Sequence, residues 1–169
     1  MKAVIAPLLA LTLAVGLSGC ITVQLPQSDP NPTPSSQGDV VASPTELIDC
    51  DDQPLVLNTA GSYTLDDDCD AVTLEGTDIT VTADEIDTLV IRGDRVVVTA
   101  DDIDDVSLDG NDNTLTLGDA DRITIAGDRN AFTGSEFDSV SIQGNDNVIT
   151  AERVQGLDDS GDRNQVAGL

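Results

Sequence analysis

The sequence predicts an all-β fold, a parallel β-solenoid (β-helix) with a 17-residue rung. Three observations predict it. Glycine returns at one constant interval, at Gly76, Gly93, Gly110, Gly127, Gly144 and Gly161. Apolar and polar residues alternate before and after each glycine, as half-buried strands require. The wording itself repeats, with VSLDGNDNTLT at 106–116 and VSIQGNDNVIT at 140–150. A fixed short period means stacked copies of one unit. About six to seven rungs fit, a stack roughly 30 Å long at about 4.8 Å per rung.

Composition narrows the partners. The 169 residues carry a net charge of -25, from 32 acidic and seven basic side chains, with Lys2 the only lysine and no histidine. Such a surface repels nucleic acid and anionic lipid, so nucleic acid is excluded as a partner. The only aromatics are Tyr63, Phe132 and Phe137, so the core is aliphatic and thin. The aspartate excess resembles that of proteins from salt-loving organisms, whose acidic surfaces stay hydrated at high ionic strength.

Positions 1–19 read as a signal peptide, with Lys2, an apolar run from Ala3 to Leu17, then small residues. Leu17-Ser18-Gly19-Cys20 resembles the lipobox of bacterial lipoproteins, which implies cleavage before Cys20 and acylation of its thiol. Residues 20–44 form the acylated cysteine and a tether, since Pro26, Pro30, Pro32 and Pro34 lie among Ser, Gln, Asn and Asp. A segment of that composition buries too little to fold and acts as an extended spacer. The solenoid occupies 45–169.

Counting from each glycine sorts the repeat into columns. The fifth position holds Val81, Val98, Leu115, Phe132, Ile149 and Val166. The tenth holds Ile86, Ile103, Ala120, Phe137 and Val154, the thirteenth Leu89, Val106, Ile123, Val140 and Leu157, and the fifteenth Ile91, Leu108, Ile125 and Ile142. These are the inward rows. Each rung thus carries two short strands joined at two corners, and glycine allows the sharp first corner.

Other columns have their own chemistry. Asn113, Asn130, Asn147 and Asn164 at the third position form a structural ladder, hydrogen-bonding from rung to rung or satisfying their own turns. The second position alternates Asp78, Arg95, Asp112, Arg129, Asp146, Arg163, so unlike charges neighbour one another and the ancestral unit is two rungs. The sixth is an outward row, Thr82, Thr99, Thr116, Thr133 and Thr150. Cys69 falls in the tenth column. Cys50 lies one rung before it if the first rung is two residues longer than the rest, as Ala60-Gly61 suggests. The spacing predicts a disulfide between them, stable outside the cytoplasm. At the far end Asp159 occupies an inward position, a charge that blunts the terminal strand.

Chemistry centres on an acidic corner. Asp70, Asp87, Asp104, Asp121 and Asp138 share a column, with Asp84, Glu85, Asp101, Asp102, Asp105, Asp119, Glu136 and Glu152 beside it. Stacked like charges repel unless turn capping, salt or bound cations offset them. Calcium takes six to eight oxygens, which makes Asp87, Asp104, Asp121 and Asp138 the candidate metal ligands. The glycine-rich nonapeptide of calcium-binding β-rolls is absent, so turn capping on a solvated face is the main reading and no cofactor other than calcium is implied. Thr80/Thr82 and Thr114/Thr116 give a T-x-T similar to ice-binding solenoids, but Val97, Ala131 and Val148 interrupt it and β propensity accounts for it. Pectin-cleaving β-helices carry long loops that wall a cleft. Here all rungs from 76 to 161 are equal in length, and no serine–histidine pair or phosphate loop exists, so the chain is read as no enzyme.

The lipobox, proline-rich spacer, cysteine-bounded first rung and tandem G-[ND]-x-N-x-[VLI]-T units together resemble the small, mainly actinobacterial lipoproteins of domain-of-unknown-function family 3060. The resemblance covers most of the mature chain, although Ile79 and Val96 replace the asparagine in the rungs of Gly76 and Gly93. It implies a lipid-anchored solenoid in the extracytoplasmic cell envelope with no assigned activity, and the chain is expected to be a monomer. The expected role is structural or adhesive display toward envelope proteins or polymers, with a divalent-cation (calcium) module as the alternative.

Overall fold

Every strand pairing is parallel, and partners lie about one repeat apart in the chain. The computed structural model describes residues 46–50, 53–66 and 68–169. The leader, Cys20 and the tether lie outside these residues. The solenoid begins with β1 (Glu46–Asp49), β2 (Leu55–Leu57), β3 (Gly61–Asp66), β4 (Cys69–Leu74), β5 (Ile79–Thr82) and β6 (Glu85–Ile91). It continues with β7 (Val97–Leu108), β8 (Thr114–Ile125), β9 (Ala131–Ile142), β10 (Val148–Asp159) and β11 (Gln165–Ala167). The strands make about seven turns, in agreement with the sequence reading. Two strands per rung is correct only for the first three rungs. From β7 onward a single 12-residue strand runs through the second corner.

The four expected inward columns are buried along the stack, except where Leu157 and Val166 reach its uncovered end. A fifth inward column joins them. Ala83, Ala100 and Leu117, at the seventh position after glycine, are buried as well. Volume is traded between columns. Leu117 shares its rung with the small Ala120, whereas Gly134 shares the next rung with the large Phe137. A Cβ on Gly134 would stand 2.5 Å from the Phe137 ring. Interiors pack at crystal-like density, so the exchange keeps the cross-section constant.

The repeat glycines are required, but not by the corner. None of the six has a positive φ. The left-handed residue is two positions later, at Asp78, Arg95, Asp112, Arg129, Asp146 and Arg163, with φ between 54° and 59°. What excludes a side chain at glycine is the neighbouring rung. A Cβ on Gly93, Gly110, Gly127, Gly144 or Gly161 would lie 1.8 Å from the carbonyl oxygen of the preceding repeat glycine. Backbone stacks directly on backbone there, a contact only glycine permits.

Cys50 and Cys69 pair as a disulfide across two adjacent rungs, with Cα atoms 5.3 Å apart and both residues buried. The expected lengthening of the first rung at Ala60-Gly61 is not how they meet. β1 pairs β3 and β2 pairs β4 at the ordinary repeat offset, Glu46 facing Tyr63 and Leu55 facing Val72, so the bridge runs obliquely across the corner. Around Ala60-Gly61 the corner is instead one residue shorter, since Leu57 partners Leu74 but Gly61 partners Ile79.

Candidate functional site

The first corner of each rung is built from three side-chain columns. The asparagines are buried, Asn113, Asn130 and Asn147 being at most 1 % exposed, and their side chains bond to the backbone of the preceding rung. Asn130 accepts the Asn113 N–H on Oδ1 at 2.9 Å and donates from Nδ2 to the Gly110 carbonyl at 3.0 Å. Asn113, Asn147 and Asn164 make the same two bonds. Amide-to-amide bonding, one of the two expected modes, is limited to Asn147 Nδ2 donating to Asn164 Oδ1 at 3.2 Å. Ile79 and Val96 fill the same buried column, so the rungs that lack asparagine keep the packing and lose only the amide.

A second ladder is one that sequence reasoning misses. At the first position after glycine stand Asp94, Asn111, Asp128, Asn145 and Asp162, and from Asp94 to Asn145 each side-chain oxygen accepts the backbone N–H of the next rung at 2.7–2.9 Å. The asparagine amides also donate to the aspartate below them, Asn111 to Asp94 at 3.2 Å and Asn145 to Asp128 at 3.1 Å. The bonds to backbone therefore run upward in the first-position ladder and downward in the third-position ladder. Its signal in the sequence is an Asp/Asn alternation in phase with the Asp/Arg one.

The Asp/Arg column is paired in twos. Arg95, Arg129 and Arg163 each fork onto the aspartate of the preceding rung, with Nε–Oδ1 distances of 2.8, 2.8 and 2.6 Å. These hydrogen bonds are the main reason the carboxyls of Asp78, Asp112 and Asp146 lie below the ordinary aspartate range. The rule extends to every arginine in the chain. Arg92 meets Glu75, Arg122 meets Asp105 and Arg153 meets Glu136, each partner one rung back.

The acidic corner sits on the opposite part of the rung, beside the second corner, and forms two columns rather than one. Asp70, Asp87, Asp104, Asp121 and Asp138 are stacked as expected and lie outside the core. Asp68, Glu85, Asp102, Asp119 and Glu136 run parallel to them, across a buried row of Cys69, Ile86, Ile103, Ala120 and Phe137. Arg153 and Gln155 continue these columns and end them. Arg153 Nη1 donates to Glu136 Oε1 at 2.9 Å. Gln155 Nε2 donates to the same oxygen at 2.8 Å and also to Asp138. Asp102, Asp119, Asp121, Glu136 and Asp138 border an open groove of about 300 Å³. All carboxylates of the two columns except Asp68 project from strands rather than from turns. Among the described residues no three His, Cys, Asp or Glu side chains converge to hold a metal ion, and Asp87, Asp104, Asp121 and Asp138 remain a column rather than a cage.

The threonine row is exposed from Thr82 to Thr150, beside a neutral column of Thr80, Val97, Thr114, Ala131 and Val148. Asp159 stands opposite Ile142 in the inward column but is exposed at the end of the stack. Its Oδ1 accepts from Gly161 N at 3.0 Å and Asn164 Nδ2 at 2.8 Å, so the charge also ties down the last turn.

Fold and side-chain ladders define a parallel β-solenoid whose rungs keep a constant length from Gly76 onward. Comparison with known proteins finds no match to a family model, to a curated protein or to a solved structure.

Proposed function

We propose that this chain is a cell-envelope lipoprotein of the kind its lipobox and repeat resemble, whose solenoid serves structural or adhesive display. The observation that carries the reading is the constancy of the rung. The same outward positions recur in one constant register, and the coil presents them as rows: carboxylates, threonines, or paired Asp and Arg. A rod with long uniform rows suits contact with an extended polymer or a protein surface better than enclosure of a small substrate. The rod is held to the membrane by an acyl group on Cys20 and kept at a distance by the proline-rich tether. Cys20→Ala should move the protein from the membrane fraction to the soluble fraction, and unchanged membrane association would end the lipoprotein reading.

The alternative is a calcium-binding module, favoured by the groove where Asp102, Asp119, Asp121, Glu136 and Asp138 lie together. Thermal unfolding in calcium, magnesium and sodium at matched ionic strength separates the two. A rise in midpoint with calcium alone, at micromolar to millimolar levels, selects the cation module. Equal effects of all salts select display.

A further inference from the structure

All six arginines sit one rung above a carboxylate, yet only Arg153 touches the two columns that begin at Asp68 and Asp70. The columns therefore hold ten carboxylates over five rungs, contributed by Asp68 and strands β4, β6, β7, β8 and β9. Rung spacing of about 4.8 Å sets their separation along the stack. The charged groups flanking them are mostly acidic too. Asp84, Asp101 and Glu152 border one side, and the Asp105–Arg122 ion pair borders the other.

We propose that this double column makes the solenoid an acid- and salt-tightened fold, more stable in mild acid or high monovalent salt than at neutral pH in low salt. The inference rests on the geometry of the array and is independent of the lipoprotein reading. In the folded chain the carboxylates are fixed in rows, whereas unfolding lets them separate, so ionisation opposes folding. Two groups inside the array carry the mark of it. Asp68, then lost hydration, then Asp102, Asp87 and Asp104 push the Glu85 carboxyl above the ordinary glutamate range. Partial burial, then Asp104, Asp119 and Asp121, push Asp102 up in the same way.

The direction follows from proton linkage. Between the raised values and the ordinary ones the folded state binds protons that the unfolded chain does not, so stability increases as pH falls through that window and is lost as pH rises through it. Below the ordinary aspartate range the trend reverses. Asp78, Asp112 and Asp146 then take up protons and give up their guanidinium partners. A stability maximum in mild acid results.

The test is thermal unfolding of the full chain at low ionic strength. On going from about pH 7.5 to about pH 5, the midpoint is expected to rise by roughly 5 °C or more, and molar sodium or potassium chloride at pH 7.5 should give a comparable rise. The triple variant Asp102→Asn, Asp119→Asn, Asp121→Asn should start higher at pH 7.5 and gain less in acid. A charge-matched control, Asp109→Asn, Asp158→Asn, Asp162→Asn, alters exposed carboxylates outside the columns and should keep the wild-type gain. A wild-type midpoint that is flat or falls toward pH 5 overturns the proposal even if the variants fail to fold. Equal blunting in both triple variants would also overturn it, because net charge and not the array would then be the cause.

Discussion

Arg95 donates from Nε to Asp78 Oδ1 at 2.8 Å and from Nη2 to Asp78 Oδ2 at 2.9 Å, and both residues hold a left-handed backbone, with φ of 54° and 58°. The fork recurs at Arg129–Asp112 and Arg163–Asp146, so the column is a set of three staples, one per two-rung unit. Arginine is a poor residue at positive φ, and its presence there is explained by the bidentate bond it makes.

Truncation of the fork should therefore separate two effects. Arg129→Ala and Arg129→Gly both lose the bond to Asp112, but glycine carries no Cβ at φ 55°. Arg129→Gly should melt above Arg129→Ala by roughly 5 °C. The deficit of both relative to wild type should shrink as pH falls. Asp112 is held below its ordinary range by Arg129, so its contribution is present above that range and lost as pH drops through the lowered value. A deficit unchanged at about pH 2 would show that the fork is not its source.

The backbone contact at the glycine column allows no compromise. Gly110→Ala places a methyl 1.8 Å from the Gly93 carbonyl oxygen, and neither backbone can retreat without breaking the stack. It should cost about 3 kcal/mol or more in urea unfolding, or prevent folding. Gly156→Ala, whose nearest neighbour would be the Asp138 oxygen at 3.2 Å, should cost less than about 1 kcal/mol. Similar losses at both sites would refute close approach as the reason for the repeat glycine.

Asn130→Val tests the buried ladder. Valine fits the column, as Val96 demonstrates, but leaves the Asn113 N–H and the Gly110 carbonyl without the Asn130 side chain. Each buried group left unsatisfied costs about 1–3 kcal/mol, so a loss of roughly 2–4 kcal/mol is expected. Hydrogen exchange should accelerate first at the Asn113 amide. Protection there equal to wild type would mean that the backbone finds another partner.

Period and alternation make the architecture legible, because a rung with a fixed length forces like residues into register. What stays hidden are properties of contact rather than of pattern. Composition does not distinguish a left-handed turn from a backbone packed on backbone, so the repeat glycine reads as a corner residue. Asp and Asn are both common turn residues, and only the stacked geometry shows Asp94, Asn111, Asp128 and Asn145 each accepting from the next rung. Ile79 and Val96 look like gaps in the asparagine motif, yet both fill its buried slot. The acidic corner is visible in the sequence, but its second column passes for flanking charge, since the buried row that separates the two becomes apparent only with the strand drawn.

Gly134 and Phe137 offer the sharpest check on packing. Phe137 is fully buried, and its ring occupies the space that a side chain at Gly134 would enter. Phe137→Ala should cost about 3–5 kcal/mol by leaving a cavity. Gly134→Leu should cost about 1–3 kcal/mol, because its new side chain meets the Phe137 ring. The double variant restores the Leu117/Ala120 arrangement one rung later, and its loss should fall short of the sum by at least about 1 kcal/mol. Simple additivity in denaturant unfolding would show that the two positions do not share one space, and the size exchange along the core would then have no energetic meaning.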